Sequence, residues 1–215
     1  MTKFCNCPVG ASINNIPLSD CPEDFGQIQK LILQRVFSSG TTKNKFSTLS
    51  GAGAPDLLAS WTPLLAAADG TKVVQTPFIQ SPANEAGAKR EFGGGNATLG
   101  GIPIIIGQEP GSFTAMILQS KQDAIKALKS YMCENVAVYF VDEYGKIGGL
   151  TDDINNPAEF MGVPIRGLFV GDKKFGNLEE ADSNSIEFKT LPNWSDNFYV
   201  VTPTNFNALT DLATP

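Results

Sequence analysis

Short apolar runs separated by turn residues constrain the fold of this chain more than any other feature of its sequence. The 215 residues include 21 glycines and 14 prolines, a content that favours many turns and short strands over a helical bundle. Several runs, such as "SIEFKTL", alternate apolar and polar side chains with the period of a half-buried strand. The runs do not alternate regularly with helices, so a parallel βαβ sheet is not expected. The sequence predicts a mainly β fold of the α+β class.

Two segments read as helices among these strands. "SWTPLLAAADG" predicts a short helix that is capped by Ser60 and stops at Gly70. Residues 120–132, "SKQDAIKALKSYM", predict the clearest helix, with Ser120 as its N-cap and an apolar stripe along one side. Roughly eight or nine strands and two helices indicate a β-sandwich or barrel with one or two flanking helices.

The composition divides the chain into one large domain with extensions. Residues 1–25 are rich in Pro, Cys, Asn and Ser, and we interpret them as an N-terminal arm. Residues 26–203 form a single β-rich domain that is long enough to bury a substantial core. A glycine-rich loop is predicted at 81–101. Residues 204–215, polar with scattered apolar side chains, are predicted to be a second arm, the C-terminal tail.

The sequence shows neither a membrane-spanning segment nor a secretory signal. It has no uncharged apolar stretch of 18 residues, so no membrane span is expected. Its first residues, "MTKFCNCPVGASINN", lack the apolar centre of a secretory signal. We therefore expect the protein to remain in the compartment in which it is made and to have no membrane partner.

The chain has no histidine, and this limits the chemistry open to it. Ser-His-Asp and Cys-His pairs, histidine general bases and imidazole metal ligands are all excluded. Carboxylate, lysine or tyrosine catalysis remains open, but the acidic run "EEAD" at Glu179 is more typical of an exposed turn. We predict that the protein is not an enzyme and has no cofactor.

The four cysteines are predicted to be free thiols. Cys5, Cys7 and Cys21 have an unfamiliar spacing for zinc, and no histidine completes a ligand set with them. With Cys133 added, the count still does not indicate a disulfide framework in a chain of this length made under reducing conditions. We therefore predict no metal site.

Negative charge is concentrated towards the C-terminus. The net charge is −6, and residues 142–215 carry twelve acidic and five basic side chains. No basic stripe is available to neutralise phosphates, so tight nucleic-acid binding is not expected. An acidic surface would repel DNA and let it slide past. The alternative is a solvated face that keeps the protein soluble.

The stretch "FGGGNATLGGIPIIIG", Phe92 to Gly107, has the glycine content of a phosphate-binding loop but not its pattern. Thr98 occupies the place of the third glycine of a dinucleotide fingerprint. A β-type run follows where a helix N-terminus would be required. The sequence also lacks the Gly-Lys-Ser/Thr triplet of a P-loop. The nucleotide interpretation therefore fails.

Two interpretations of this glycine-rich loop remain open, a mobile surface connection and an assembly loop. Loops this long in compact domains are usually functional or disordered. Phe92 and Leu99 are apolar groups that are costly to leave in water, while Gly93, Gly94 and Gly95 lower the bulk where subunits approach each other. These five residues are our candidate assembly loop.

Several long segments together resemble virion proteins of tailed bacteriophages from gut Bacteroidota, crAss-like phages included. They are "CPEDFGQIQKLILQR", "LASWTPLLAAADGTKVV", "EFGGGNATLGGIPIIIG", "SKQDAIKALKSYMCENVAVYFVDEYGKIGG", "RGLFVGDKKFG" and "NWSDNFYVVTPTNFNALTDL". The resemblance spans nearly the whole chain and implies a neck, ring or tail-tube component. Such a tail-tube-like fold is a β-sandwich or barrel with a flanking helix, long inter-subunit loops and ring assembly. No functional residue carries over, because the family pattern is a fold and not a site.

The resemblance and the residues together predict a structural virion protein of the tail or neck that forms a ring or tube from copies of itself. Its other partners would be neighbouring virion proteins, and DNA would pass through the channel without specific binding. Glu179, Glu180 and Asp182 are candidate lumen acids. The expected locations are the virion and, during assembly, the cytoplasm of the bacterial host.

Three alternatives stay open at this point. A capsid or head-decoration protein would share the β-rich fold and the arms. A virion-associated carboxylate-based hydrolase would need a concave pocket with paired acids. A host-side binding module would use Cys5, Cys7 and Cys21 with a metal ion.

Overall fold

The computed structural model describes residues 25–212, apart from the side chain of Leu99, and it confirms the mainly β prediction. Its helices are α1 (Leu58–Ala66) and α2 (Gln122–Ser130). Within the described range the strands are β1 (Ile28–Arg35), β2 (Phe37–Ser39), β3 (Thr42–Lys43), β4 (Val73–Gln75), β5 (Ile79–Glu85), β6 (Lys89–Phe92), β7 (Ile104–Gln108), β8 (Gly111–Leu118), β9 (Val136–Asp142), β10 (Ile147–Thr151), β11 (Phe160–Met161), β12 (Val163–Val170), β13 (Ser183–Thr190) and β14 (Phe198–Val201).

Six strands form a curved antiparallel wall around the main core. Their order is β1, β9, β12, β13, β8 and β5, each paired with the next, and β5 also contacts β1. All six point apolar side chains into one cluster, as expected for the interior of a barrel. Helix α2 adds two side chains to it. Representative members are Leu31, Val138, Ile165, Phe188, Phe113, Ile79, Ile125 and Leu128.

A second core covers the outer face of β1 and β9. Because residues alternate along β9, Val138 and Phe140 face the barrel interior while Tyr139 and Val141 face this second layer. Trp61 of α1 is fully buried there, and its indole N–H donates to the carbonyl oxygen of Pro55 over 2.7 Å. The β9 strand is therefore buried on both faces, which explains why "VAVYFV" is almost continuously apolar.

The two helices exist as predicted, but their beginnings differ. Helix α1 begins at Leu58, so Ser60 lies inside it and Gly70 lies beyond its end at Ala66. Helix α2 begins at Gln122, and its N-cap is Lys121, whose backbone is extended. Ser120 therefore precedes the helix and does not cap it.

Residues 204–212, part of the predicted C-terminal tail, pack against their own domain. Ala208 and Leu212 are buried in the second core of their own chain. The Lys30 ammonium donates to the carbonyl oxygen of Leu209 over 2.8 Å, and the Gln75 amide donates to that of Ala208 over 2.6 Å. Apolar burial and these hydrogen bonds hold the segment against β1 and β4. The rest of the tail lies outside the described residues, as does the predicted N-terminal arm except for Phe25.

The predicted loop at 81–101 is correct only in its second half. Residues 81–85 complete β5 and residues 89–92 form β6. These two segments contain few apolar residues, so the sequence gives no strand pattern there. The side chains of β6 are all exposed, as are most of those of residues 81–85 in β5. The segments on either side of "GQEPG" form β7 and β8, which pair with β6 and β5 and not with each other.

Candidate assembly surface

A two-stranded hairpin continues the β5–β8 pair beyond the barrel. The last register pair of β5 and β8 is Glu85 with Ser112, and the next pair outward is Lys89 with Gln108 of β6 and β7. Between the two pairs, the Glu109 amide donates to the carbonyl oxygen of Ala88 over 2.8 Å. Among the described residues, β6 and β7 form ladders only with each other. The hairpin is therefore an arm attached to the domain at one end.

Gly87 fixes the base of this arm. A Cβ built on Gly87 would overlap the carbonyl oxygen of Glu109 on the opposite strand. Since the obstacle is backbone, any larger residue would push the two strands apart. The position therefore requires glycine for close approach, not for a special backbone angle.

The arm exposes large apolar side chains to solvent. Phe92 and Ile102 are 59% and 71% exposed, and Ile104, Ile105 and Ile106 are each about half exposed or more. Because successive residues of a strand point to opposite faces, Ile104 and Ile105 make both faces of the ribbon apolar. Burial on both faces is what a continuous apolar run normally indicates.

The tip of the hairpin contains the candidate assembly loop. Gly93, Gly94 and Gly95 all have positive φ, and Leu99 lies in a short 3-10 turn. The Thr98 hydroxyl orders the tip, because it accepts from the Gly94 amide over 3.0 Å and donates to the Ile102 carbonyl oxygen over 2.8 Å. The structure thus places Phe92 and the three glycines together at the end of the arm.

Sequence reasoning missed the isoleucines as surface residues. "IPIII" was interpreted as a β-type run, which is correct, but its exposure was not predicted. Two features of the sequence could have indicated that these isoleucines are exposed. Apolar and polar residues do not alternate between Ile104 and Ile106, and the partner segment "KREF" is too polar to be buried on both faces. A strand apolar on both faces beside a polar partner is compatible with burial between molecules.

The three candidate lumen acids lie together in the turn between β12 and β13, but two of them form ion pairs with lysines. Lys174 binds the Glu180 carboxylate over 2.8 Å and lowers its pKa. The Gly176 amide, and then Lys173, lower the pKa of Asp182. Glu179 makes no ion pair within the described range. The lumen location of these acids stays a prediction, but their combined charge is weaker than the sequence suggested.

No group of three or more potential metal ligands occurs in the described part of the chain. Cys133 is an exposed free thiol, while Cys5, Cys7 and Cys21 lie outside the described residues. Of the helices in residues 25–212, none has the length and apolar character needed to cross a membrane.

Comparison of the chain with protein-family models gives no match, and comparison with curated proteins gives none either.

Proposed function

We propose that this protein is a structural protein that assembles with copies of itself, as a ring or tube in the tail or neck of a phage particle. The observation that supports self-assembly most strongly is the β6–β7 hairpin. It carries five exposed large apolar side chains on an arm outside the core. Exposed apolar clusters of this kind mark interaction surfaces in soluble proteins.

A copy of the same chain suits this arm as a partner. The outer edges of β6 and β7 carry backbone groups without a ladder partner in the described residues, and an unpaired edge is a template for another strand. A neighbouring subunit would pair with an edge and cover both apolar faces. The β-rich barrel would supply the rigid wall from which the arm extends.

The placement in a phage tail or neck is supported by the resemblance of the sequence to virion proteins of tailed bacteriophages. The acidic C-terminal third agrees with a wall that DNA passes without binding. A hydrolase is less well supported, because the residues lining the 740 Å³ groove beside α1 include two lysines and no acid. A head-decoration role would use the same arm, and immunogold labelling of intact particles separates head from tail.

The test is a double substitution on the two faces of the arm, Ile104→Asp with Ile105→Asp. Both side chains are about half exposed in the isolated chain, so the variant should keep a thermal midpoint close to that of the wild type. It should lose assembly, as measured by light scattering and negative-stain imaging. The matched control, Ile104→Val with Ile105→Val, keeps β-branched apolar side chains and should assemble. Unchanged assembly of the aspartate variant would contradict the proposal.

A further inference from the structure

A groove of 740 Å³ opens between α1 and the segment that follows β3. Its apolar lining includes Phe46, Leu57 and Leu64, of which Phe46 also belongs to the second core. The only charged side chains among its lining residues are Lys43 and Lys45, at its β3 side. Lys45 forms an ion pair with Glu159, whereas Lys43 has no ion pair in the described range. The groove is therefore apolar with a cationic rim.

A hydrogen-bonded turn elsewhere on the chain exposes apolar side chains together with acidic ones. Residues 172–182 connect β12 to β13, and this 172–182 turn leaves Phe175 80% exposed and Leu178 fully exposed. The Asn177 side chain accepts from the amides of Glu179 and Glu180 over 2.7 and 3.0 Å. The turn is thus held by its own hydrogen bonds while it presents two large apolar side chains to water.

The charges of the two features are complementary. Three of the four acids in the 172–182 turn already have a lysine partner, namely Asp172 with Lys129, Asp182 with Lys173 and Glu180 with Lys174. The Glu179 carboxylate has no ion-pair partner among the described residues. On the groove rim Lys45 is paired with Glu159, so Lys43 is the cation that can face Glu179. Pre-ordered apolar anchors with a charged border are the usual make-up of an interface centre and its rim.

The turn and the groove belong to different elements of the chain. The turn extends from the barrel strands β12 and β13, while the groove lies against α1 over the second core. Within residues 25–212 no hydrogen bond or ion pair joins them. A different patch on each partner defines a heterologous contact, which generates rings or filaments and not closed pairs.

We infer that the 172–182 turn of one copy docks into the α1 groove of the next, with Leu178 and Phe175 inside the groove and Glu179 beside Lys43. The inference rests on the proposed self-assembly and adds a second contact that differs from the hairpin. It assigns to Glu179 a role in pairing between subunits instead of a place in the lumen.

The first test is Leu178→Asp, with Leu178→Met as the matched control. Leu178 is fully exposed in the isolated chain, so neither variant should alter its folding. Leu178→Asp should raise the protein concentration needed for assembly at least about tenfold, since the lost burial is that of one whole leucine side chain. Leu178→Met should assemble like the wild type.

The second test reverses the charge on each side of the contact, Glu179 on the turn and Lys43 on the groove. Glu179→Lys and Lys43→Glu should each weaken assembly roughly two- to fivefold, the size of an exposed pair. An equimolar mixture of the two variants should regain wild-type assembly, because alternating copies restore an opposite pair at every contact. Wild-type assembly of Leu178→Asp and of both charge variants would overturn this inference while leaving the proposed function intact. A wild-type chain that never assembles would overturn both.

Discussion

Replacement of Asp142 by alanine should destabilise the fold strongly, because one buried carboxylate organises the junction of β1, β9 and the β9–β10 turn. Its side chain is fully buried. One oxygen accepts from the amides of Tyr144 and Lys146 over 3.0 and 2.8 Å, and the other accepts from the amide of Gly26 over 3.0 Å. Alanine would remove both oxygens and with them all three hydrogen bonds.

The expected cost follows from these three bonds. Hydrogen bonds to a charged group contribute about 1.5–3 kcal/mol each when the donors are left buried. The three amides are only partly buried and reach some water in the variant, so about 1–1.5 kcal/mol each is appropriate. The sum is about 4 kcal/mol, which lowers the melting temperature by roughly 8–16 °C in a chain of this size.

Urea unfolding followed by circular dichroism measures this difference. The matched control is Asp142→Asn, which keeps one oxygen for Tyr144 and Lys146 but turns an NH₂ group towards the Gly26 amide. It should cost about 1–2 kcal/mol, the loss of one acceptor. An alanine variant within about 1 kcal/mol of the wild type, or an asparagine variant as unstable as alanine, would refute the reasoning.

Two further substitutions test other parts of the structure. Gly87→Ala should lower the melting temperature and weaken assembly, because the new Cβ overlaps the Glu109 backbone. The control Gly107→Ala has open space around its Cβ and should change both quantities by little. Unchanged assembly of Gly87→Ala would argue against a fixed hairpin base. Burial raises the pKa of Tyr139 above its usual value of about 10, so the unfolded chain loses this proton first and stability should fall as the pH rises above about 10. Tyr139→Phe should lose the hydrogen bond to Gln34 and show a shallower decline in alkaline melts; an identical decline would exclude Tyr139 as its source.

The sequence was informative where burial follows a simple period. In β9, Val136, Val138 and Phe140 recur with the period of a strand, and all three face the barrel core. The apolar stripe of α2 identified Ile125 and Leu128 as buried. These elements were predictable because one face of each meets a core and the other does not.

The sequence was misleading where contacts are made by backbone or by distant segments. The tail at 204–212 looks like an arm because it has few apolar residues, yet Lys30 and Gln75 bind its carbonyl oxygens. Strand β6 was missed because its side chains are all exposed. The ion pairs of Glu180 and Asp182 with Lys174 and Lys173 depend on the turn geometry, so the acidic count alone overstated the charge there.

Self-assembly of the unmodified chain is the central claim, and multi-angle light scattering over a range of concentrations tests it most directly. The account predicts a mass that is a multiple of 22.9 kDa and rises with concentration to a defined limit or to tubes. Negative-stain images of the same sample should show rings or tubes with a central hole. A single species of 22.9 kDa at every concentration, without rings in the images, would contradict it.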